Sequence, residues 1–331
     1  MEYEVLQQSD IEKITNEAQE FAQDVLLGLS QDAKELSSKW LYDTEGSRLF
    51  EKIMELEEYY PTNCEFEILK TKTEEFAGLL KGAEFQLVEL GAGDGRKTKV
   101  LLEHFLKENL KFKYVPVDIS EGAMKTLTKR LQKSLPRLHL KGIVAEYFDA
   151  LKWIEASTHA RNVILFMGGN IGNFTHHEAH DFLRSLWNVL NHDDLVIIGM
   201  DLKKDPDTLL HAYSDSEGIT AQFNLNLLKR INRELDGDFD VEKFQHYANY
   251  NAFLGTMESY IISREVQDVR IDALKTSFHF DAWEAVHTEY SFKYSDSEIE
   301  KMAHETGFSI VKNLYDSKNY FVDSVWKVEK K

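Results

Sequence analysis

Apolar residues near the start of the chain recur three and four positions apart. Ala18, Phe21, Val25 and Leu26 form one stripe, and Leu49, Phe50, Ile53 and Leu56 form another, so residues 9–80 are expected to be helical. Tyr59 and Tyr60 stand directly before Pro61, which is expected to break the chain's helical course. From Phe85 onward the period changes. Short apolar runs at Phe85–Leu90, Lys113–Ile119, His139–Tyr147, Asn162–Met167 and Leu195–Asp201 alternate with helical stretches near Thr98–Lys107, Glu121–Lys133 and His177–Leu190. Five such runs separated by helices predict repeated βαβ units and a parallel sheet. The rhythm stops near residue 204. Leu209–Lys229 and Val241–Tyr250 read as helices, whereas Glu258–Ile271 and Ser277–Tyr294 alternate or favour β-branched and aromatic residues. Ser297–Glu305 is again helical, and Phe308–Leu314 with Tyr320–Val328 reads as a hairpin across Asp316–Asn319. The expected organisation is an α/β domain over 61–203 and 295–331, an inserted lid-like substrate domain over 204–294, and helices of 1–60 that complete the lid. No internal repeat or low-complexity segment interrupts this reading.

Composition narrows the class. A chain of 331 residues with 43% hydrophobic and 12% aromatic residues fits a well-packed globule. With 39 Lys and Arg against 57 Asp and Glu, the net charge of −18 argues against nucleic acid or an anionic membrane surface as partner. The longest apolar runs, around Val163–Met167 and Leu195–Met200, fall far short of the ~20 residues that span a bilayer. The single thiol, Cys64, excludes intrachain disulfides and thiolate zinc clusters. Met1 to Lys13 is acidic and polar and lacks a signal-peptide pattern. The expectation is a cytoplasmic protein, acting as a monomer.

The sharpest local signal is Val88-Glu89-Leu90-Gly91-Ala92-Gly93-Asp94-Gly95, between a predicted strand and a predicted helix. Glycines let the backbone approach a ligand where a Cβ would clash. A dinucleotide fingerprint would place glycine at position 96, where Arg96 stands, and the loop lacks the Gly-Lys-Ser/Thr ending of a phosphate-binding loop. What remains is the S-adenosylmethionine (SAM) pattern. Asp118, closing the second strand, offers a carboxylate to the two ribose hydroxyls. Lys97 stands just beyond the loop, where it could meet the methionine carboxylate. Glu146 and Tyr147, at the end of the third run, could flank adenine. With the terminal hairpin, this predicts a class I SAM-methyltransferase fold, a Rossmann-like sheet of seven strands with a C-terminal antiparallel hairpin.

Further polar and aromatic segments punctuate the chain: Lys39-Trp40-Leu41-Tyr42-Asp43-Thr44-Glu45-Gly46-Ser47, Glu58-Tyr59-Tyr60-Pro61-Thr62, Gly168-Gly169-Asn170-Ile171-Gly172-Asn173-Phe174, Ala212-Tyr213 and Thr288-Glu289-Tyr290-Ser291. The glycine-asparagine run follows the fourth strand, where open α/β sheets bind ligands, and the Asn173 amide could serve a carboxylate. Through these segments the chain resembles the L-histidine Nα-methyltransferases of the ergothioneine pathway, from about Lys39 to the C-terminal strands. The resemblance extends to Ile171-Gly172-Asn173-Phe174-Thr175, Ala212-Tyr213-Ser214-Asp215 and Gly218-Ile219-Thr220-Ala221-Gln222-Phe223-Asn224.

The resemblance implies a SAM-dependent transfer to the α-amino group of L-histidine, up to three times, giving hercynine. It implies SAM binding by Gly91, Gly93, Lys97, Asp118, Glu146 and Tyr147. It further implies that Tyr59, Asn173 and Tyr213 hold the amino-acid carboxylate and α-amino group, that Glu289 and Ser291 grip the imidazole, and that Tyr42 lies near the imidazole end. Ser259 stands where the family carries a pocket methionine, which implies a smaller, more polar wall and keeps another aromatic amino acid or a histidine derivative open as substrate. Trp40 and Phe50 read as core. The histidines around His176-His177-Glu178-Ala179-His180 lack an open catalytic zinc motif, so no metal is expected. Two readings from other classes compete. An NAD(P)-dependent oxidoreductase is disfavoured by Arg96 and the hairpin. A catalytically silent partner protein on the same fold is disfavoured by the polar acceptor segments.

Overall fold

The computed structural model describes residues 3–5, 10–157 and 161–330. Residues 1–2 and 6–9, part of the stretch read for a targeting signal, lie outside the described residues. In chain order the elements are β1 (Tyr3–Val5), α1 (Asp10–Leu29), α2 (Thr44–Ile53), α3 (Tyr60–Thr71), α4 (Thr73–Leu80), β2 (Phe85–Leu90), α5 (Arg96–Lys107), β3 (Phe112–Asp118), α6 (Glu121–Ser134), β4 (Gly142–Val144), α7 (Tyr147–Ser157), β5 (Arg161–Phe166), α8 (His176–Val189) and β6 (Leu195–Asp201). There follow α9 (Pro206–Tyr213), α10 (Ile219–Leu235), β7 (Phe244–Asn251), β8 (Thr256–Ser263), β9 (Gln267–Ile271), β10 (Thr276–Phe280), β11 (Ala285–Phe292), α11 (Asp296–Thr306), β12 (Phe308–Tyr315) and β13 (Phe321–Val328). The chain divides into two compact units. One is built on Pro61–Lys203 and the segment from Lys293, with β1; the other runs from α1 to Tyr60 and over Lys204–Phe292.

The first unit is an α/β sheet in the order β1-β4-β3-β2-β5-β6-β13-β12. Strands β4, β3, β2, β5 and β6 are parallel, whereas β13 runs antiparallel to β6 and to β12. All residues of β2 and β6 are buried, as expected of strands covered on both faces. Seven of these strands are the predicted ones. The eighth, β1, pairs parallel with β4 at the sheet edge, where helix alone was expected. The strand order reverses between β2 and β5, and ligands of open α/β sheets bind beyond the carboxyl ends of strands at such a point. Both the turn after β2 and the turn after β5 are glycine-rich. The predicted run His139–Tyr147 is shorter than read: β4 covers Gly142–Val144, and Tyr147 already opens α7. Pro61 starts a helix instead of breaking one, because its missing N–H lies in the first turn, where no intrahelical partner exists.

The second unit joins α1, α2, α9 and α10 to a three-stranded sheet in the order β11-β8-β7 and to the β9–β10 hairpin. Helix α10 buries Phe223, Leu227, Leu228, Ile231 and Leu235 in a core shared with Phe21, Trp40, Leu49, Ile261 and Val286. Two sequence readings are corrected here. Leu209–Lys229 is two helices, because the Asp215 carboxylate accepts the backbone N–H groups of Ile219 and Thr220 at 2.8 and 2.7 Å and starts α10 afresh. Val241–Tyr250 is a single 3-10 turn over Val241–Lys243 followed by strand from Phe244. Phe244 and Ala248 are buried on one side while Gln245 and Tyr247 face solvent, an alternation fixed by pairing with β8.

Candidate active site

The first unit gathers the residues expected to bind the cofactor. Past β2 the chain is tied to β3 by Gly91 N and Ala92 N, which both donate to the Val117 carbonyl at 2.9 and 3.0 Å. Gly91 has φ +75°, and a Cβ there would lie 2.9 Å from Tyr147 Oη and 3.1 Å from Asn170 Nδ2. Only glycine fits both the backbone and the space. The Asp118 carboxylate accepts Gly93 N–H on one oxygen at 2.8 Å and Ser120 N–H on the other at 2.9 Å. Burial pushes its pKa up, and these backbone donors pull against that shift. A carboxylate has about four acceptor sites, so its capacity is not used up by these donors. The Tyr147 ring is held by Phe166, Phe182 and Phe174, at centroid distances of 5.4, 6.0 and 6.5 Å. Burial raises its phenol, which stays a neutral donor. Glu146, one residue earlier, is exposed.

Lys97 is not free at the loop. Its ammonium is ion-paired with Glu65, a fully buried residue of α3. Glu89, at the end of β2, is also buried and accepts Thr98 Oγ1 and Tyr114 Oη; burial lifts its carboxyl to about 7 against the pull of those donors. Asn173 ends the tight turn Asn170–Asn173 after β5, half-buried. The fully buried Tyr294 hydroxyl fixes that turn by donating to the Ile171 carbonyl at 3.2 Å.

The second unit carries the other expected residues. In β11 the pairing with β8 runs Val286 to Ile261 and His287 to Tyr260, then shifts, so that Glu289 faces Ser259, Tyr290 faces Glu258 and Ser291 faces Met257. The shift is a β-bulge at Thr288. Strict alternation would put Glu289 on the side of His287 and Tyr260; the extra residue moves it to the side of Ile261, Ser259 and Met257. Glu289, Ser291 and Ser259 therefore share one face, which is the core-facing one, since Ile261 and Val286 belong to the core. The bulged Thr288 is anchored by its hydroxyl, 2.8 Å from Asn224 Oδ1 of α10 and 3.0 Å from the Ser259 carbonyl. Tyr213, at the end of α9, donates its hydroxyl to Ser291 Oγ at 2.6 Å, a buried bond. An aromatic chain continues from it: Tyr213 to Tyr59 at 6.3 Å, Tyr59 to Phe50 at 6.1 Å, Phe50 to Tyr42 at 5.5 Å, and Tyr42 to Phe223 at 5.4 Å.

Within this unit, then, Tyr42, Tyr59 and Tyr213 are linked in one aromatic series, and Ser291 joins it through Tyr213. Phe50, expected only as core, is half-buried and joins Tyr42 to Tyr59. Sequence reasoning missed Asn170 and Glu65. Asn170 lies inside the glycine-asparagine run and was within reach of the pattern. Glu65, in a helix with a second glutamate two residues on, offered no signal. Among the described residues, no group of three His, Cys, Asp or Glu side chains could hold a metal ion, and no helix is long and apolar enough to cross a membrane.

Strand order, the glycine turn after β2 and the carboxylate closing β3 define a class I SAM-dependent methyltransferase. A family model described as histidine-specific methyltransferase, SAM-dependent, matches residues 21–328. The chain belongs to that family. It is 37% identical to the histidine N-alpha-methyltransferase of Mycobacterium tuberculosis (strain CDC 1551 / Oshkosh) over 82% of this chain and 83% of that one. It is 35% identical to the enzyme of the same name from Mycolicibacterium smegmatis (strain ATCC 700084 / mc(2)155), over 88% and 89% of the two chains. Ergothioneine biosynthesis protein 1 of Schizosaccharomyces pombe (strain 972 / ATCC 24843) is 29% identical over 86% of this chain and 37% of its own length.

Proposed function

We propose that the protein methylates the α-amino group of L-histidine, up to three times, and that its two units divide the work. Residues of the first unit hold SAM: the Gly91–Gly93 turn lies against the ligand, Asp118 accepts the ribose hydroxyls, Lys97 serves the methionine carboxylate, and Glu146 and Tyr147 border the adenine. When bound, SAM supplies an electrophilic methyl group on sulfonium. Residues of the second unit hold the amino acid. Glu289 accepts an imidazole N–H, Ser291 serves the other ring nitrogen, Tyr213 and Asn173 of the first unit bind the carboxylate, Tyr59 stays beside the amine, and Tyr42 closes the ring end. The observation that carries this reading is the bulge in β11, which turns the Glu289 carboxylate onto the face of Ser291 and Ser259.

Catalysis is then mainly orientation. An in-line displacement requires the amine lone pair aimed at the methyl carbon about 3 Å away. The chain's task is to fix the amino acid by both ends, since its carboxylate and its imidazole are the two handles that leave the amine free to turn. Aromatic and small walls tolerate an ammonium that grows and becomes less hydrated with each methyl group. A site built to hydrogen-bond a ring nitrogen rejects substrates lacking one, because its buried polar groups are left unpaired. Ser259, buried opposite Glu289, favours one second reading, a larger aromatic amino acid or a substituted histidine as alternative substrate. We also read the protein as a cytoplasmic monomer, in keeping with its single, buried cysteine; size-exclusion chromatography tests the oligomeric part.

The experiment mixes protein, SAM and each of the twenty amino acids, and follows mass gains of one to three methyl groups. Histidine is expected to gain them and the others not. In Glu289→Ala, kcat/KM for histidine should fall by about 100-fold, as expected when a charged hydrogen-bond partner is lost, with affinity for S-adenosylhomocysteine (SAH) unchanged. Equal loss of both would remove Glu289 from this role.

A further inference from the structure

Glu65 is a fully buried carboxylate that links the start of α5 to the turn after β5 in the first unit. It stands on α3 with no solvent exposure. One oxygen accepts the Gly168 N–H at 2.6 Å, in the turn after β5; the other takes the Lys97 ammonium, at the start of α5. Gly199 of β6 lies directly beneath, and a Cβ there would collide with the Glu65 carboxylate, so the strand carries glycine where the carboxylate needs room. What the carboxylate holds is a set of polar tips around two glycines. A Cβ on Gly168 would lie 3.6 Å from Lys97 Nζ and 3.6 Å from Asn170 Oδ1, while one on Gly91 would lie 3.1 Å from Asn170 Nδ2.

Stability does not account for this arrangement. A buried ion pair is often no better than apolar residues of the same volume, since desolvation of both charges offsets their attraction. The surroundings sharpen the point. Burial alone would lower the Lys97 ammonium; the carboxyls of Glu65, Asp323 and Glu89 keep it charged. Asp323, fully buried and opposite Gly199 in the sheet, is driven well above the usual carboxyl range by burial and by Glu65. Glu65 and Lys97 form the ion pair at the centre of this cluster.

We propose that Glu65 is a positioning residue for SAM, holding Lys97 and the Gly168–Asn170 turn at the separation that receives the amino-acid end of the cofactor. The inference rests on the assignment of Lys97 to the methionine carboxylate. Glu65 does not touch the ligand; it acts by restraining Lys97 on one side and the Gly168 N–H on the other. Without its charge, Lys97 is free to swing toward other carboxylates, and the turn that presents Asn170 loses its anchor.

The test uses the intact protein and SAH as probe, with affinity read by calorimetry and histidine KM read separately at saturating SAM. Glu65→Gln should weaken SAH by at least about tenfold, the effect of losing one hydrogen bond to a charged group, and leave the histidine KM within about twofold. A purely structural role would lower the melting temperature and move both quantities together, which would overturn the proposal. Because Glu65→Gln takes the main partner from a half-buried ammonium and could unfold, Lys97→Met and the double variant Glu65→Gln/Lys97→Met complete a cycle. Lys97→Met should itself weaken SAH, and adding Glu65→Gln to it should cost less than about threefold more, because the main partner of Glu65 is already gone. Equal loss from Glu65→Gln in both backgrounds would overturn the role of Glu65 while leaving that of Lys97. Unchanged SAH affinity in Lys97→Met would instead overturn the cofactor assignment on which the inference rests.

Discussion

Gly91→Ala tests the cofactor turn most directly, because the structure specifies what the added methyl group meets. The backbone at 91 has φ +75°, a conformation that costs a residue with a Cβ about 1–2 kcal/mol. The new Cβ would also stand 2.9 Å from Tyr147 Oη. The tyrosine tip cannot simply swing aside, since its ring is held by Phe166, Phe174 and Phe182. Forcing it away resembles overpacking a core, about 1–3 kcal/mol. The sum, roughly 2–5 kcal/mol, lowers the melting temperature of a domain of this size by at least about 5 °C. On the proposed reading SAH affinity should fall by at least about tenfold, since the methyl group displaces the Tyr147 and Asn170 tips beside the proposed cofactor turn. Scanning calorimetry and SAH titration read the two effects. Gly91→Ala/Tyr147→Phe removes the hydroxyl that the Cβ meets and should regain about 1–3 kcal/mol of stability over Gly91→Ala. If the double variant melts no higher, the collision with Tyr147 is not what the glycine avoids. If Gly91→Ala binds SAH as the parent does, the turn is not the seat of the cofactor.

Two further perturbations have signs fixed by the structure. The folded-state pKa of Glu89, about 7, lies above its unfolded value near 4.5, so this group stabilises the fold fully below the unfolded value and loses that contribution as pH rises to 7. The difference, (7 − 4.5) × ~1.36, is about 3 kcal/mol. Urea unfolding at pH 5 and pH 8 should show Glu89→Gln gaining about 2–3 kcal/mol on the parent over that interval; parallel pH profiles would refute the shift. Ser259→Met fills the wall opposite Glu289, and in the panel of amino acids it should favour histidine over larger aromatic substrates by about tenfold in kcat/KM, the effect of a methylene or two in a pocket. An unchanged ratio would place residue 259 outside the substrate pocket.

The sheet was legible in the sequence because its strands are buried on both faces and read as uninterrupted apolar runs, and because a glycine turn followed by Asp118 lies within a single strand–helix–strand unit. Val241–Tyr250 was not. Val241, Phe244 and Ala248 fall three and four apart, which imitates a helix, and only pairing with β8 turns the segment into strand. The face of Glu289 was equally hidden. Alternation along β11 assigns it to the side of His287, and the bulge that reverses the assignment is set by the hydroxyl of Thr288 reaching Asn224, 64 residues earlier. Glu65 depends on partners 32 and 103 residues away. Local pattern reports what neighbouring residues do to one another; these positions are defined by contacts that exist only once the chain is folded.

The places where local rules fail are also informative about function. Folding alone gives little reason to bury Glu65, Glu89 and Asp323 in one sheet domain, because each carboxyl loses hydration and Asp323 has no hydrogen-bond partner for either oxygen among the described residues. Nor does it favour glycine within β6, where a side chain would add packing. These departures cluster around Lys97 and the turns after β2 and β5, at the reversal of strand order, and a fold retains such costs most readily where its site needs them. Their charge balance fits that reading. On the proposed reading, the Glu65–Lys97 ion pair offers a zwitterionic ligand end one cation to meet. Burial and the nearby Glu65 raise the Asp323 carboxyl, which limits the competition of that acid for the Lys97 ammonium.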